Sequence, residues 1–353
     1  MSQSRPALAD LSGTHALVLD GAIGTELERR GIDSPLPLWS AGALVAHADA
    51  VAAVHHDYVA AGADIVVANT FRTNVRTLRA AGMLERGAEL NRTAIELARR
   101  ACASCHPERS GLSGHPERSE GSGRGSEPAS IDEPSQIPRS ARNDIEAALS
   151  DTETGRHRGR SIIVAASVAP VADCYHPERV PDETVLRDEH GRMLTWLKAA
   201  GPDLIWIETM GTLREARAAA QATSRTEMPF VVSFVVREDG NLLGGERLED
   251  AVDAVEAFDP LAIGLNCIPP DGMTAILPRL RKATERPLAA YAHINNPQPI
   301  SGWSYAQTAT PEQYAQHAKR WLDLGVSIVG GCCGTTPAHI RALRKVVSGR
   351  PAG

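Results

Sequence analysis

Eight short apolar, β-branched runs recur along the chain, separated by longer alanine-rich stretches of helical character. They are ALVLD (16–20), DIVVAN (64–69), SIIVAAS (161–167), DLIWIE (203–208), PFVVSFVV (229–236), LAIGLN (261–266), PLAAYA (287–292) and VSIVGG (326–331). The segments between them predict helices at roughly 41–61, 74–102, 182–200, 212–225, 247–258, 272–285, 311–324 and 337–348, several opened by a Thr, Ser or Pro start signal. Alternating strands and helices specify an α/β fold with a parallel sheet. Eight units favour a closed (β/α)8 TIM-type barrel over an open doubly wound sheet.

One interval interrupts the rhythm. From about 103 to 160 the chain is rich in Gly, Ser, Pro, Glu and Arg and nearly empty of large apolar residues, and the pentapeptide HPERS occurs at 106–110 and again at 115–119. Such a segment cannot bury enough apolar surface to offset the entropy of ordering. It is therefore expected to be a disordered, low-complexity insert in a single barrel domain spanning 1–353, with only ARNDIEAAL (141–149) able to form a short helix. Lying between the second helix and the third strand, it should emerge at the N-terminal face of the barrel, opposite the face that carries active sites. CASCH (102–106) at its edge satisfies the C-x-x-C-H haem-attachment pattern. No second C-x-x-C follows within zinc-knuckle distance, so this match carries no chemistry.

Charge and cysteine content exclude several classes of partner. A net charge of −6 leaves no overall basic footprint for nucleic acid or anionic lipid, and no apolar run approaches the ~20 residues that span a bilayer. The first residues, MSQSRPALADLSGTHA, lack the basic-then-apolar order of a signal peptide, so a cytoplasmic location is expected. Reduced thiols are the rule there, and six cysteines point to metal binding, catalysis or burial before a disulfide framework.

Active sites of such barrels collect at the C-terminal ends of the strands. Those positions hold Asp20, Gly21, Asn69, Thr70, Phe71, Ser167, Glu208, Thr209, Ser233, Asn266, Cys267, His293, Asn295, Cys332 and Cys333. Cys267 ends the sixth strand, and Cys332 with Cys333 ends the eighth, so a single strand separates them around the barrel. Three thiolates suit Zn²⁺ and leave its fourth tetrahedral position open, although buried cysteines also serve as small apolar residues.

The stretches DGAIGTELERRG (20–31), ANTF (68–71), DLIWIET (203–209), GLNC (264–267) and GGCCGTTPAHI (330–340) resemble, in order and spacing, the motifs of the homocysteine S-methyltransferase family. The resemblance covers the chain apart from the insert. It implies a zinc-bearing (β/α)8 barrel that methylates homocysteine to methionine, with Cys267, Cys332 and Cys333 as the catalytic metal ligands. It also implies Glu208 as the residue that grips the substrate ammonium. Asp20, Gly21, Thr70, Phe71, Ser233 and Asn266 are further candidates for substrate contact. Where relatives often read G-S-[IV]-G-P after the third strand, this chain has AASVAPVADCY (165–175), and AHINNPQPISGW (292–303) replaces the more usual P-N-x-G after the seventh. Both departures fall on loops expected to line the methyl-donor side.

A sulfonium donor, S-methylmethionine or S-adenosylmethionine, is expected first. Betaine is second and would need an aromatic cage, for which Trp39, Phe71, Tyr175 and Trp303 are the candidates. Methyl-folate is expected to require further modules, for which the residues after the last barrel helix are too few. A rival from another class is a non-catalytic zinc or redox-sensing barrel, in which all four metal positions would be closed. A third is acid–base catalysis by Glu208 and Asp20, which leaves the three cysteines unexplained.

Overall fold

The computed structural model describes residues 15–104, 162–294, 296–298, 302–304 and 309–350. Eight parallel strands make one sheet: β1 (Leu17–Val18), β2 (Ile65–Ala68), β3 (Ile163–Val168), β4 (Leu204–Met210), β5 (Phe230–Phe234), β6 (Ala262–Asn266), β7 (Leu288–Ala292) and, after a hairpin of β8 (Asn296–Gln298) and β9 (Gly302–Ser304), β10 (Val326–Gly331). Neighbours follow the chain order from β2 round to β7, then β10, then β1. The ring closes between β1 and β2 through the parallel bridge Leu19–Ile65, with Asp20 N donating to the Ile65 carbonyl at 2.9 Å and Asp64 N to the Val18 carbonyl at 2.7 Å. The (β/α)8 TIM-type barrel expected from the eight apolar runs is the fold.

Helices cover the outside: α1 (Ile23–Arg29), α2 (Ala43–Ala46), α3 (Ala48–Ala61), α4 (Val75–Ala80), α5 (Gly87–Ser104), α6 (Glu183–Ala200), α7 (Leu213–Ser224), α8 (Leu248–Glu256), α9 (Pro270–Ala283), α10 (Pro311–Asp323) and α11 (Pro337–Ser348). Local chemistry sets many of their starts. Asn74, Asp182, Thr212 and Thr310 each accept hydrogen bonds from backbone amides of the first turn, satisfying donors that have no partner inside the helix. Two helices expected as continuous are broken. The 74–102 segment divides at Gly82, whose φ of +67° ends α4 in a left-handed turn, and the 41–61 segment divides at His47, whose backbone leaves the helical region. α1 was not expected, and it begins within the DGAIGT motif, at Ile23.

Period-two alternation sorts the strand residues. Ile163 and Ala165 of β3, Leu204 and Trp206 of β4, Val231 of β5, Ala262 of β6 and Ala289 and Tyr291 of β7 fill the barrel interior, while Val164, Ile205, Ile207, Val232, Ile263 and Ala290 pack outward against the helices. The same parity carries Ser167, Glu208, Ser233 and Asn266 onto the inward face at the C-terminal end, so strand geometry assembles the rim. α5 ends at Ser104, and the rest of the expected insert, including HPERS, 141–149 and the last two residues of CASCH, lies outside the described residues. Cys102 packs against the core from α5. No helix among the described residues is long and apolar enough to cross a membrane.

Candidate active site and metal centre

Two glycine-rich loops are stitched together to build the cysteine corner. Gly334, at φ +86°, donates its N–H to Thr25 Oγ1 at 3.0 Å, and Thr335 Oγ1 donates to the Cys332 carbonyl at 2.7 Å. Tyr58, from α3, bonds both loops, donating toward the Ala22 carbonyl at 2.9 Å and the Thr335 carbonyl at 3.1 Å. A side chain on Gly21 would stand 2.8 Å from the Tyr58 ring and 2.9 Å from the Thr335 hydroxyl, so glycine there is demanded by close approach. Gly24 likewise leaves room for the Trp39 indole. Ladder bonds then position the thiol-bearing residues: Cys332 N donates to the Ala292 carbonyl at 3.0 Å and Cys267 N to that of Tyr291 at 3.3 Å.

The sulfurs of Cys267, Cys332 and Cys333 lie within 4.8 Å of one another, and all three residues are buried. Cys332 Sγ is 4.0 Å from Cys333 Sγ, while Cys267 and Cys332 are joined as a disulfide. Its physical basis is position: β6 and β10 flank β7, which brings the two Cα atoms to 5.8 Å, inside bridging range. The donor set also fits a metal. Zn–S bonds of about 2.3 Å put tetrahedral sulfurs about 3.8 Å apart, and the Cys332 and Cys333 sulfurs stand near that spacing. Burial raises the Cys333 thiol above its ordinary range, with further contributions from the Cys174 thiol and the Glu208 charge.

Glu208 is the partly exposed carboxylate of this rim. Ser167 Oγ donates to its Oε1 at 2.5 Å and Tyr291 OH stands 3.4 Å from Oε2, with Trp206 Nε1 donating in turn to the Tyr291 oxygen at 2.8 Å. Its hydrogen-bonding partners here are hydroxyls, and no ion pair to Glu208 occurs among the described residues. Burial pushes its carboxyl up to about 7, against the lowering effect of the two hydroxyl bonds. Asp20 is buried and accepts from Val67 N at 3.0 Å; burial holds it well above the usual carboxylate range, and the Glu208 charge adds to the effect.

Other predicted contacts turn inward. Thr70 Oγ1 donates to the Ser167 carbonyl at 2.8 Å, and Asn69 exchanges hydrogen bonds with Ser40. Asn266 accepts from Thr209 N at 2.9 Å and donates to Thr209 Oγ1 at 2.8 Å. Thr70, Ser233 and Asn266 have no exposed surface, so they support the site from beneath. Phe71 is partly exposed and packs edge-on to Trp39, ring centres 6.3 Å apart. His293 is buried after β7, its ring pushed down to about 4 by burial; Asn295 lies outside the described residues. Sequence reasoning missed Tyr291 and Thr335. Tyr291 was legible as the inward-facing member of PLAAYA, two residues from Ala289, and Thr335 as a hydroxyl inside GGCCGTT.

The profile of the family described as "Homocysteine S-methyltransferase" matches residues 17–347. The chain belongs to the homocysteine S-methyltransferase family. A curated relative, homocysteine S-methyltransferase 1 of Zea mays, is 30% identical over 341 residues, covering 94% of each chain. Selenocysteine Se-methyltransferase of Brassica oleracea var. italica is 27% identical, covering 93% of this chain and 88% of that one. Among solved structures, the metallated form of the homocysteine methyltransferase MmuM from Escherichia coli superposes with a TM-score of 0.70 at 27% identity, covering 97% and 99% of the two chains. Its oxidised form gives 0.72 at 26% identity. The homocysteine S-methyltransferase match begins at the first residue of β1 and ends within α11, so every rim loop described above lies inside it.

Proposed function

We propose that this enzyme transfers a methyl group from a sulfonium donor, S-methylmethionine or S-adenosylmethionine, to the thiol of homocysteine, yielding methionine. The observation that carries the reading is the convergence of Cys267, Cys332 and Cys333 within 4.8 Å on the same barrel rim as Glu208. Reduced, these three residues would hold Zn²⁺, which supplies deprotonation of a substrate thiol brought to it.

The chain's own groups do the rest. Glu208, held by Ser167 and Tyr291 and with no ion pair among the described residues, receives the substrate ammonium. Ion pairing with that ammonium draws the carboxyl to its charged form, reversing the effect of burial. Asp20 and the backbone at Gly21 flank the same group. The acceptor sulfur then attacks the donor methyl carbon in line: a new C–S bond forms, the donor C–S bond breaks, and its electron pair returns to the donor sulfur as a neutral thioether. Holding both reactants in this geometry replaces a bimolecular encounter with a unimolecular step.

Two aromatics proposed for a betaine cage are already committed. The Arg72 guanidinium stands 5.7 Å from the centre of the Phe71 ring, and Trp39 Nε1 donates to Glu28 at 2.8 Å. A quaternary ammonium would therefore meet a cation rather than an open ring face at Phe71, which weakens the aromatic cage that betaine would need. The test is product formation from homocysteine with four donors. S-methylmethionine or S-adenosylmethionine should support methionine synthesis, betaine should do so poorly, and methyl-tetrahydrofolate should fail. Zinc content near one per chain in reduced protein, lost with activity on replacing Cys267, Cys332 or Cys333 by Ala, is the companion measurement. Full zinc occupancy in all three variants removes the metal assignment. The selenocysteine methyltransferase relatives support a second reading, a selenol acceptor, which competition between homocysteine and selenocysteine decides.

A further inference from the structure

Tyr291 joins the two halves of the rim. Its backbone carbonyl accepts from Cys267 N at 3.3 Å, and its hydroxyl stands 3.4 Å from Glu208 Oε2. One residue of β7 therefore touches both the cysteine corner, at the end of β6, and the carboxylate, at the end of β4. Side-chain parity explains the reach. Ala289 and Tyr291 face the barrel interior from β7, as Leu204 and Trp206 do from β4, and Glu208 is the next residue on that face of β4.

Trp206 sets the direction of the hydroxyl. The two rings pack edge to face, with centres 5.9 Å apart and planes at 72°, and Trp206 Nε1 donates to the Tyr291 oxygen at 2.8 Å. An indole N–H can only donate, so the Tyr291 oxygen accepts there and its single proton is left for another acceptor. Glu208 Oε2 is within reach of that proton. At 3.4 Å the contact is longer than an ordinary O–H···O bond, and it has room to shorten as Glu208 takes on charge. Both rings are buried, Trp206 0% and Tyr291 3% exposed, so close packing holds them in place. Ser167 fixes the other carboxylate oxygen at 2.5 Å. Glu208 is thus held at both oxygens, and each bond favours the charged form that an ammonium needs.

We infer that Tyr291 is a positioning residue for homocysteine binding: its hydroxyl, oriented by Trp206, holds Glu208 at a set separation from the cysteine corner, where the carboxylate meets the substrate ammonium. The inference rests on the methyl-transfer reading above. The experiment is a double-variant cycle in the full-length protein, comparing wild type, Tyr291→Phe, Glu208→Ala and the two combined, with homocysteine as acceptor and S-methylmethionine as donor. Tyr291→Phe should raise the KM for homocysteine about fivefold, with kcat and the KM for S-methylmethionine within about twofold of wild type and zinc content unchanged. In the Glu208→Ala background the same change should alter the homocysteine KM by less than about twofold, because the group it holds is gone. An unchanged homocysteine KM in Tyr291→Phe, an equal rise in both backgrounds, or loss of zinc overturns the inference. Trp206→Phe is the second route should Tyr291→Phe fold poorly with the indole N–H left unpaired. It releases the Tyr291 proton to other directions and should raise the homocysteine KM about threefold, again only where Glu208 is present. If wild type makes no methionine, the methyl-transfer reading fails separately. Titration calorimetry of homocysteine on the same four proteins then decides the role of Tyr291. A dissociation constant raised only in the presence of Glu208 supports it, and an equal rise, no rise or no binding to wild type overturns it.

Discussion

At Glu208, burial and function pull in opposite directions. Its carboxyl is raised from 4.5 to about 7, chiefly by burial, so the folded chain holds that proton more tightly than the unfolded one. The stability linked to this group is therefore present below about pH 4.5 and is lost as pH rises through about 7. Glu208→Gln removes the penalty. Metal-free Glu208→Gln should be more stable than wild type by on the order of 2–3 kcal/mol at pH 8 and about equal to it near pH 4.5, measured by urea unfolding across that range. A pH-independent difference would contradict the assignment. The same variant should bind homocysteine more weakly by about 1.5–3 kcal/mol, because the ammonium loses a charged partner. Gain of stability with loss of binding is what distinguishes a poised ligand group from a structural one.

The end of β4 is an element shaped around that carboxylate. Pairing with β5 shifts register between Ile207 and Met210, and Thr209 adopts φ +61°, a left-handed conformation unfavourable for a β-branched residue. The Asn266 amide holds it there with two hydrogen bonds. Asn266→Ala should therefore cost about 2–3 kcal/mol by leaving Thr209 N and Oγ1 buried without partners. It should also lower kcat/KM by more than about tenfold as Glu208 loses its orientation. Thermal unfolding and steady-state kinetics check the two effects, and intact kinetics would show that the bulge is not a positioning device. β10 offers a packing counterpart. A Cβ on Gly330 would stand 2.6 Å from Leu19 Cβ inside the barrel, so Gly330→Ala should destabilise by about 1–3 kcal/mol while sparing the thiols. Unfolding midpoints and zinc content measure this directly.

For the whole molecule, the described strands close a barrel through the Leu19–Ile65 bridge, and β2 pairs with β3 from Ile65–Ile163 to Ala68–Ala166. Deleting residues 107–140 is accordingly expected to leave soluble expression, unfolding midpoint and methyl transfer close to those of the full chain. Loss of any one would assign that segment a role. The fold was legible in the eight runs because strands covered on both faces must be apolar throughout, and the helices between them need only one apolar stripe. The cysteine corner was legible because GLNC and GGCCG end strands, and strand ends in this architecture share one rim. Composition and periodicity therefore determined the architecture and brought the thiols to one end of it. They could not reveal which polar groups face a substrate, since Thr70 and Glu208 are both polar residues at strand ends. Partner geometry made that division: Thr70 donates to a neighbouring strand, Asn266 locks Thr209, and Glu208 and Arg72 keep charges that no group among the described residues answers with an opposite one. The physical reason is range. Strand and helix patterns arise from residues a few positions apart, whereas the surroundings of a charge at the rim are set by loops more than 100 residues apart along the chain, such as those bearing Arg72 and Cys174.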